Sequence, residues 1–211
     1  DIVQSVKQMS RDESGTESVL SEVIEQSVTR TTNEIRHRAT LRVEYGDVPP
    51  VLGGHSKLVQ VLINLLLNAA QAIPEGNAEK NEIVLRSVLH EGRAVITVAD
   101  TGAGMTPEVM ARIFDPFFTT KPVNHSSGLG LSVSHGIVSS IGGTLSVKSK
   151  PGFGSVFRVE LPLAPTLQPV DEGAKAVSAR KRVMVIDDDP GVGRAMARTL
   201  SKEHDVEVFN D

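Results

Sequence analysis

The run Asp100–Gly130, DTGAGMTPEVMARIFDPFFTTKPVNHSSGLG, decides how the rest of the chain is read. An apolar strand, AVITVA, ends at Ala99, so the carboxylate of Asp100 stands at a strand exit where a ligand can meet it. Gly102 and Gly104 follow at once, and glycine permits positive φ and a close backbone approach that a Cβ would prevent. At the far end, GLGL at 128–131 opens an apolar helical pattern. Free backbone N–H groups at a helix start hold phosphate. The stretch between the glycine clusters is long and carries one short helix, and such loops in compact domains are lids or disordered segments. Together these features predict a nucleotide pocket with a lid. Alone, each half also fits a plainer reading: DTGAG as a tight turn, GLGL as a helix entry that needs close packing.

A third element lies upstream. KLVQVLINLLLNAAQAI, at 57–73, places Leu58, Val61, Leu62, Leu65, Ala69, Ala72 and Ile73 at helical spacing, with Ser56 as the expected N-cap. Gln60, Asn64 and Asn68 recur every four residues and so stack on one face of that helix. Amides buried without partners cost roughly 1–3 kcal/mol each, which leaves a core amide network, a solvated stripe, or a ligand. Beside two glycine turns, a row of side-chain oxygens suits hydrated Mg²⁺ at a phosphate site.

Bulk properties narrow the classes. With 211 residues the chain has room for one domain and part of another. It begins with Asp1 rather than Met and is expected to be a piece of a longer polypeptide. A net charge of −4 gives no support for a nucleic-acid surface. No apolar run reaches the roughly 18 residues of a membrane span, and the first residues lack a signal-peptide pattern, so no membrane contact is expected. The absence of cysteine excludes disulfides and thiolate metal sites and fits a cytoplasmic, reducing compartment. With one Tyr and no Trp, the core must be aliphatic.

Elsewhere, residues 16–38 carry Val19, Leu20, Val23, Ile24, Val28 and Ile35 on one face of an amphipathic helix, and Leu41, Val43 and Tyr45 alternate as a short strand. EIVLRSVLH and AVITVA read as an antiparallel hairpin, and GTLSVKS and SVFRVELP as another around PGFG. Helices on one face of a mostly antiparallel sheet make an α+β two-layer sandwich over 16–163. Residues 1–15 read as the end of a helical region, and 164–180, rich in Pro and Ala, as a linker. From 181 to 211 the pattern changes to an apolar strand, KRVMVIDDDP, a helix over 190–202 and a strand VEVF, the opening of an incomplete βαβ unit.

Four boxes in order carry a family resemblance. QVLINLLLNAAQAI resembles the N box, DTGAG the first glycine box, FDPFF the phenylalanine box and GLGL the second glycine box of sensor histidine kinase catalytic domains, a branch of the gyrase, chaperone, histidine kinase and mismatch-repair ATPases. The resemblance implies a Bergerat-type ATP-binding fold and transfer of the ATP γ-phosphate to a protein histidine. It implies that Asp100 accepts a hydrogen bond from the adenine amine, that Asn68 ligates Mg²⁺ with Asn64 one turn away near the phosphates, and that Gly102 and Gly104 close around the base. Gly128, Leu129 and Gly130 would shape the phosphate-facing helix start. Lys121 would reach the phosphates, unless it is an ordinary solvated lid lysine. Phe114, Phe117 and Phe118 are expected to anchor the lid on the domain, and His135 to pack within its helix.

The tail resembles the start of a response-regulator receiver domain, with Asp187 and Asp188 as its Mg²⁺-binding acidic pair; a solvated acidic turn is the plainer alternative. The two resemblances together imply a hybrid histidine kinase acting in a phosphorelay, with a histidine-bearing dimerisation domain and a receiver domain or response regulator as partners. None of His37, His55, His90, His125, His135 and His204 stands in an H box, so the phosphoacceptor is expected to lie outside this sequence. Three other readings compete: gyrase-like ATP hydrolysis, serine phosphorylation as in the anti-sigma-factor relatives, and a nucleotide-binding module with no turnover in this stretch. In the hydrolysing relatives a glutamate occupies the position of Asn64, and an amide cannot serve as a general base at neutral pH.

Overall fold

The computed structural model describes residues 17–120, 127–165, 182–186, 200–201 and 205–209. They fall into two units, one ending at Pro165 and the other beginning at Thr166. In the first unit the strands are β1 (Glu17–Ser18), β2 (Thr40–Glu44), β3 (Val51–Leu52), β4 (Glu82–His90), β5 (Arg93–Asp100), β6 (Thr144–Lys150) and β7 (Gly154–Pro162). The helices are α1 (Leu20–Ile35), α2 (His55–Gln71), the single turn α3 (Pro107–Met110) and α4 (Gly130–Ser140).

A five-stranded sheet runs in the order β2-β4-β5-β7-β6. Its pairs are antiparallel, as the two hairpins predict, except that β2 joins β4 in parallel. Successive side chains on a strand point to opposite faces, and register aligns the faces across the sheet. Val98 of β5 sits opposite Leu85 of β4 and Phe157 of β7, and Ile96 opposite Ser87 and Val159. These apolar residues join Leu58, Leu62, Leu65 and Leu66 of α2 and Val23 and Ile24 of α1 in one buried cluster. Each such side chain contributes about 1.5–3 kcal/mol relative to its exposed state. The result is the two-layer α+β sandwich. The same alternation carries the last residue of β5, Asp100, onto the helix-facing side, in register with Ile83 and Ser155.

Several boundaries differ from expectation, each for a local reason. Ser56 is not the cap of α2: Gly54, in extended conformation, holds that position without a side-chain bond, and its carbonyl accepts from the N–H groups of Lys57 and Leu58. Val19 is not on the buried face of α1 but precedes it, exposed. The residues before it are held in β1, which pairs with β3, and Ser18 Oγ donates to the Gly53 carbonyl at 2.6 Å. Tyr45 lies past the end of β2 and is exposed. At the other end, Leu163 bridges to Val51 and the Ala164 N–H donates to the Pro50 carbonyl.

In the second unit β8 (Arg182–Ile186) and β9 (Asp205–Phe209) pair in parallel, Arg182 opposite Asp205. Most of the helix expected between them, and Asp187 and Asp188, lie outside the described residues, as do residues 1–15, most of the expected linker, and Lys121. No helix among the described residues is long and apolar enough to cross a membrane.

Candidate functional site

The site is built around α2, whose apolar side is locked into the core and whose amide side is not. The three amides of the stripe have different surroundings. Gln60 is exposed and belongs to the solvated end, whereas Asn64 and Asn68 are half-buried. Asn64 Nδ2 donates to the Gly130 carbonyl at 3.2 Å and to Ser134 Oγ at 3.1 Å, tying α2 to the first turn of α4. Among the described residues the Asn68 side chain makes no hydrogen bond, and it is half-buried.

The first glycine turn meets the same helix at its other end. The Ala103 N–H donates to the Ala72 carbonyl at 3.0 Å, and a Cβ at Gly102 would sit 2.6 Å from that carbonyl oxygen. Ala72 follows Asn64 by eight residues, about 12 Å along a helix axis. Asn68 lies halfway, one turn from each attachment and on the same face as Asn64. Both glycine turns are therefore fastened to α2, with Asn68 between them.

Asp100 is 7% exposed. Its Oδ1 accepts from the Gly102 N–H at 2.8 Å and, less closely, from the Ser155 N–H at 3.3 Å. Burial pushes the carboxyl pKa above its ordinary value, opposed by these two N–H groups. The second oxygen, Oδ2, accepts no hydrogen bond from the described residues. It is the acceptor that Asp100 can offer a ligand.

Glycine at 102 and 104 has a structural reason besides any ligand. Gly104 takes φ +67°, and a Cβ there would run into the Lys150 carbonyl. The neighbouring turn is drawn in by the Gly152 N–H, which donates to the Ala103 carbonyl at 2.7 Å. Beneath it, Ser149 Oγ donates to the Gly154 carbonyl at 2.8 Å, accepts from the Met105 N–H at 2.8 Å and lies 3.0 Å from Ser155 Oγ. Ser134, Ser149 and Ser155 are the residues that sequence reasoning passed over. The available signal was position: Ser134 four residues after Gly130, Ser149 and Ser155 flanking PGFG.

At the second turn, Gly128 takes φ +67° and its Cβ would collide with the Phe117 backbone, while the Leu129 N–H donates to Ser127 Oγ. Phe114 and Phe118 pack against the core cluster. Phe117 departs from expectation: it is 73% exposed and has φ +65°, so it anchors nothing in this unit's core. His135 is exposed on α4 but packs its ring against that of Phe114, the centroids 5.1 Å apart. A separate concavity lined by Arg36, His37, Gly76 and Lys80 contains none of the site residues.

Residues 53–165 match the family model described as histidine kinase-, DNA gyrase B-, and HSP90-like ATPase, a span of just over half the chain that includes α2, both glycine turns and the closing hairpin. The chain belongs to this ATPase family. Among curated relatives, sensor kinase CckA of Brucella abortus (strain 2308) is 31% identical over 183 residues, which is 76% of this chain and 19% of that protein. The C4-dicarboxylate transport sensor protein DctB of Rhizobium meliloti (strain 1021) is 44% identical over 119 residues, 54% of this chain and 18% of that protein. Among solved structures, the mycobacterial sensor histidine kinase MprB superposes with a TM-score of 0.60 at 28% identity, covering 70% of this chain and 97% of its own. The chain spans about a fifth of the length of these curated relatives.

For an ATPase-family member the ligand chemistry follows from the donor set. Among the described residues no three His, Cys, Asp or Glu side chains gather as a metal cage. Mg²⁺ commonly keeps several waters and is held by few protein oxygens plus substrate phosphates. The amide oxygens of Asn64 and Asn68 fit that role together with a nucleotide and not without one.

Proposed function

We propose that this chain is the ATP-binding catalytic part of a two-component sensor histidine kinase, transferring the ATP γ-phosphoryl group to a histidine on a dimerisation domain. The observation that carries this reading is the attachment of both glycine turns to α2 on either side of Asn68, with the Asp100 carboxyl presented on the helix-facing side of the sheet. In it, Asp100 Oδ2 accepts from the adenine amine, a contact that guanine, with a carbonyl at that position, cannot make. The N-terminal turn of α4, with Gly128, Leu129 and Gly130, faces the phosphates. Asn68 and Asn64 would hold the Mg²⁺ that comes with the nucleotide, which would supply charge neutralisation for in-line transfer. Lys121, which lies outside the described residues, is proposed as a further positive charge for the phosphates.

Asn64 also favours transfer over hydrolysis. Its amide takes no proton at neutral pH, so no side chain at that position activates water, and the γ-phosphate waits for an imidazole. The parallel pairing of β8 and β9 supports reading the tail as the start of a receiver domain, with Asp187 and Asp188 as its acidic pair and a phosphorelay as its setting. The test is incubation of this chain with labelled ATP, Mg²⁺ and a separately made dimerisation domain. Label on histidine is expected; brisk ATP hydrolysis by the chain alone, or label on serine, would replace this reading with one of the other two activities.

A further inference from the structure

We infer that Ser134 is a positioning residue for the Mg²⁺-nucleotide site, holding Asn64 so that its amide oxygen, and not its NH₂, is left for the ligand. This rests on the nucleotide reading above. The Gly130 carbonyl oxygen, 3.2 Å from Asn64, can only accept, so the Asn64 atom facing it must be the NH₂. Turning the amide over would set two acceptors against each other at that distance. Ser134 Oγ already donates its one proton to the same carbonyl at 2.9 Å, so it too offers Asn64 a lone pair, at 3.1 Å.

The Ser134 side chain is 0% exposed, so bulk water cannot substitute for its hydroxyl. Both partners thus demand a donor from Asn64, and together they fix the sense of its dipole. Oδ1 is left on the opposite side of the planar amide, without a partner among the described residues. An acceptor there attracts a hydrated divalent cation, whereas an NH₂ group would repel it. Without Ser134 the amide keeps one of its two anchors and turns over more readily.

The experiment measures ATP binding by calorimetry on the whole chain, in EDTA and across a Mg²⁺ titration, for wild type, Ser134→Ala, Asn64→Ala and the double variant. With the loss of one neutral hydrogen bond, Ser134→Ala is expected to raise the Mg²⁺ midpoint roughly 2- to 12-fold and leave metal-free ATP binding unchanged. In the Asn64→Ala background the same substitution should move the midpoint by less than about twofold, because Ser134 acts through Asn64. A merely structural serine would shift it equally in both backgrounds, and that result, or no shift at all, overturns the proposal. A wild-type chain that binds no ATP overturns the nucleotide reading itself, which separates the two failures.

Discussion

Replacing Asp100 with Asn changes one atom at the most informative position of the site. The variant keeps an Oδ1 to accept from the Gly102 and Ser155 N–H groups, at 2.8 and 3.3 Å, so the strand exit and the first glycine turn retain their geometry. What changes is the second oxygen, which becomes an NH₂ facing the donor amine of adenine. A hydrogen bond to a charged group is worth about 1.5–3 kcal/mol, and two opposed donors add a further penalty. The sum, about 2–4 kcal/mol, weakens ATP binding by about 30- to 700-fold. The same NH₂ can donate to a guanine carbonyl, so the preference for ATP over GTP should narrow or reverse.

Stability should move the other way. Burial raises the folded-state pKa of Asp100, so between the unfolded value of 3.8 and that raised value the folded protein binds more protons than the unfolded chain. Stability from this group is therefore full below 3.8 and is lost as pH rises through the raised value. At neutral pH the wild type has lost it; an Asn, which never ionises, has not. The nucleotide-free variant should melt at the wild-type temperature or above it. Calorimetric titration with ATP and GTP, paired with thermal unfolding, checks both parts. An ATP affinity within about threefold of wild type, or a lower melting temperature, would refute the assignment of Asp100 as a buried carboxylate that reads the base.

Other outcomes follow from the same geometry. Asn68→Ala should abolish most of the Mg²⁺-dependent gain in ATP affinity, about tenfold or more, for the loss of a ligand worth ~1.4 kcal/mol or above; titration in EDTA should show the metal-free affinity unchanged. ATP affinity of the wild type should fall as pH is lowered towards the raised pKa of Asp100, starting above the ordinary carboxylate value of 3.8, while Asp100→Asn should show no such limb. Ser149→Ala removes the hydroxyl shared by Met105, Gly154 and Ser155 and should cost about 1–3 kcal/mol in chemical unfolding, with weaker ATP binding because the Ser155 N–H steadies Asp100.

Much of the fold was legible because it rests on short-range periodicity. The three-and-four spacing of Leu58, Leu62 and Leu65 marks α2, and period-two alternation in β5 dictates that Asp100 shares a face with Ile96 and Val98. Long-range features were not legible. Nothing local tells β2 to pair in parallel with β4, across more than forty residues, or Ser18 to reach Gly53. Spacing of four groups Gln60 with Asn64 and Asn68, but only tertiary packing against α4 distinguishes the exposed amide from the anchored one. Glycine at 102 and 104 was legible as a need for close approach. The identity of the approaching atoms, the carbonyls of Ala72 and Lys150, came only with the fold. Phe117 shows the limit of composition: an aromatic beside Phe118 lies exposed, with its backbone at positive φ.

The most direct test of a single nucleotide cavity is an NMR titration of the chain with ATP and Mg²⁺, following the side-chain amides of Asn64 and Asn68 and the backbone N–H groups of Gly102, Gly104, Gly128 and Gly130. All six residues should shift along one binding curve with a common midpoint. A response confined to one glycine turn, or midpoints that differ between the two turns, would contradict their convergence on α2 around one bound nucleotide.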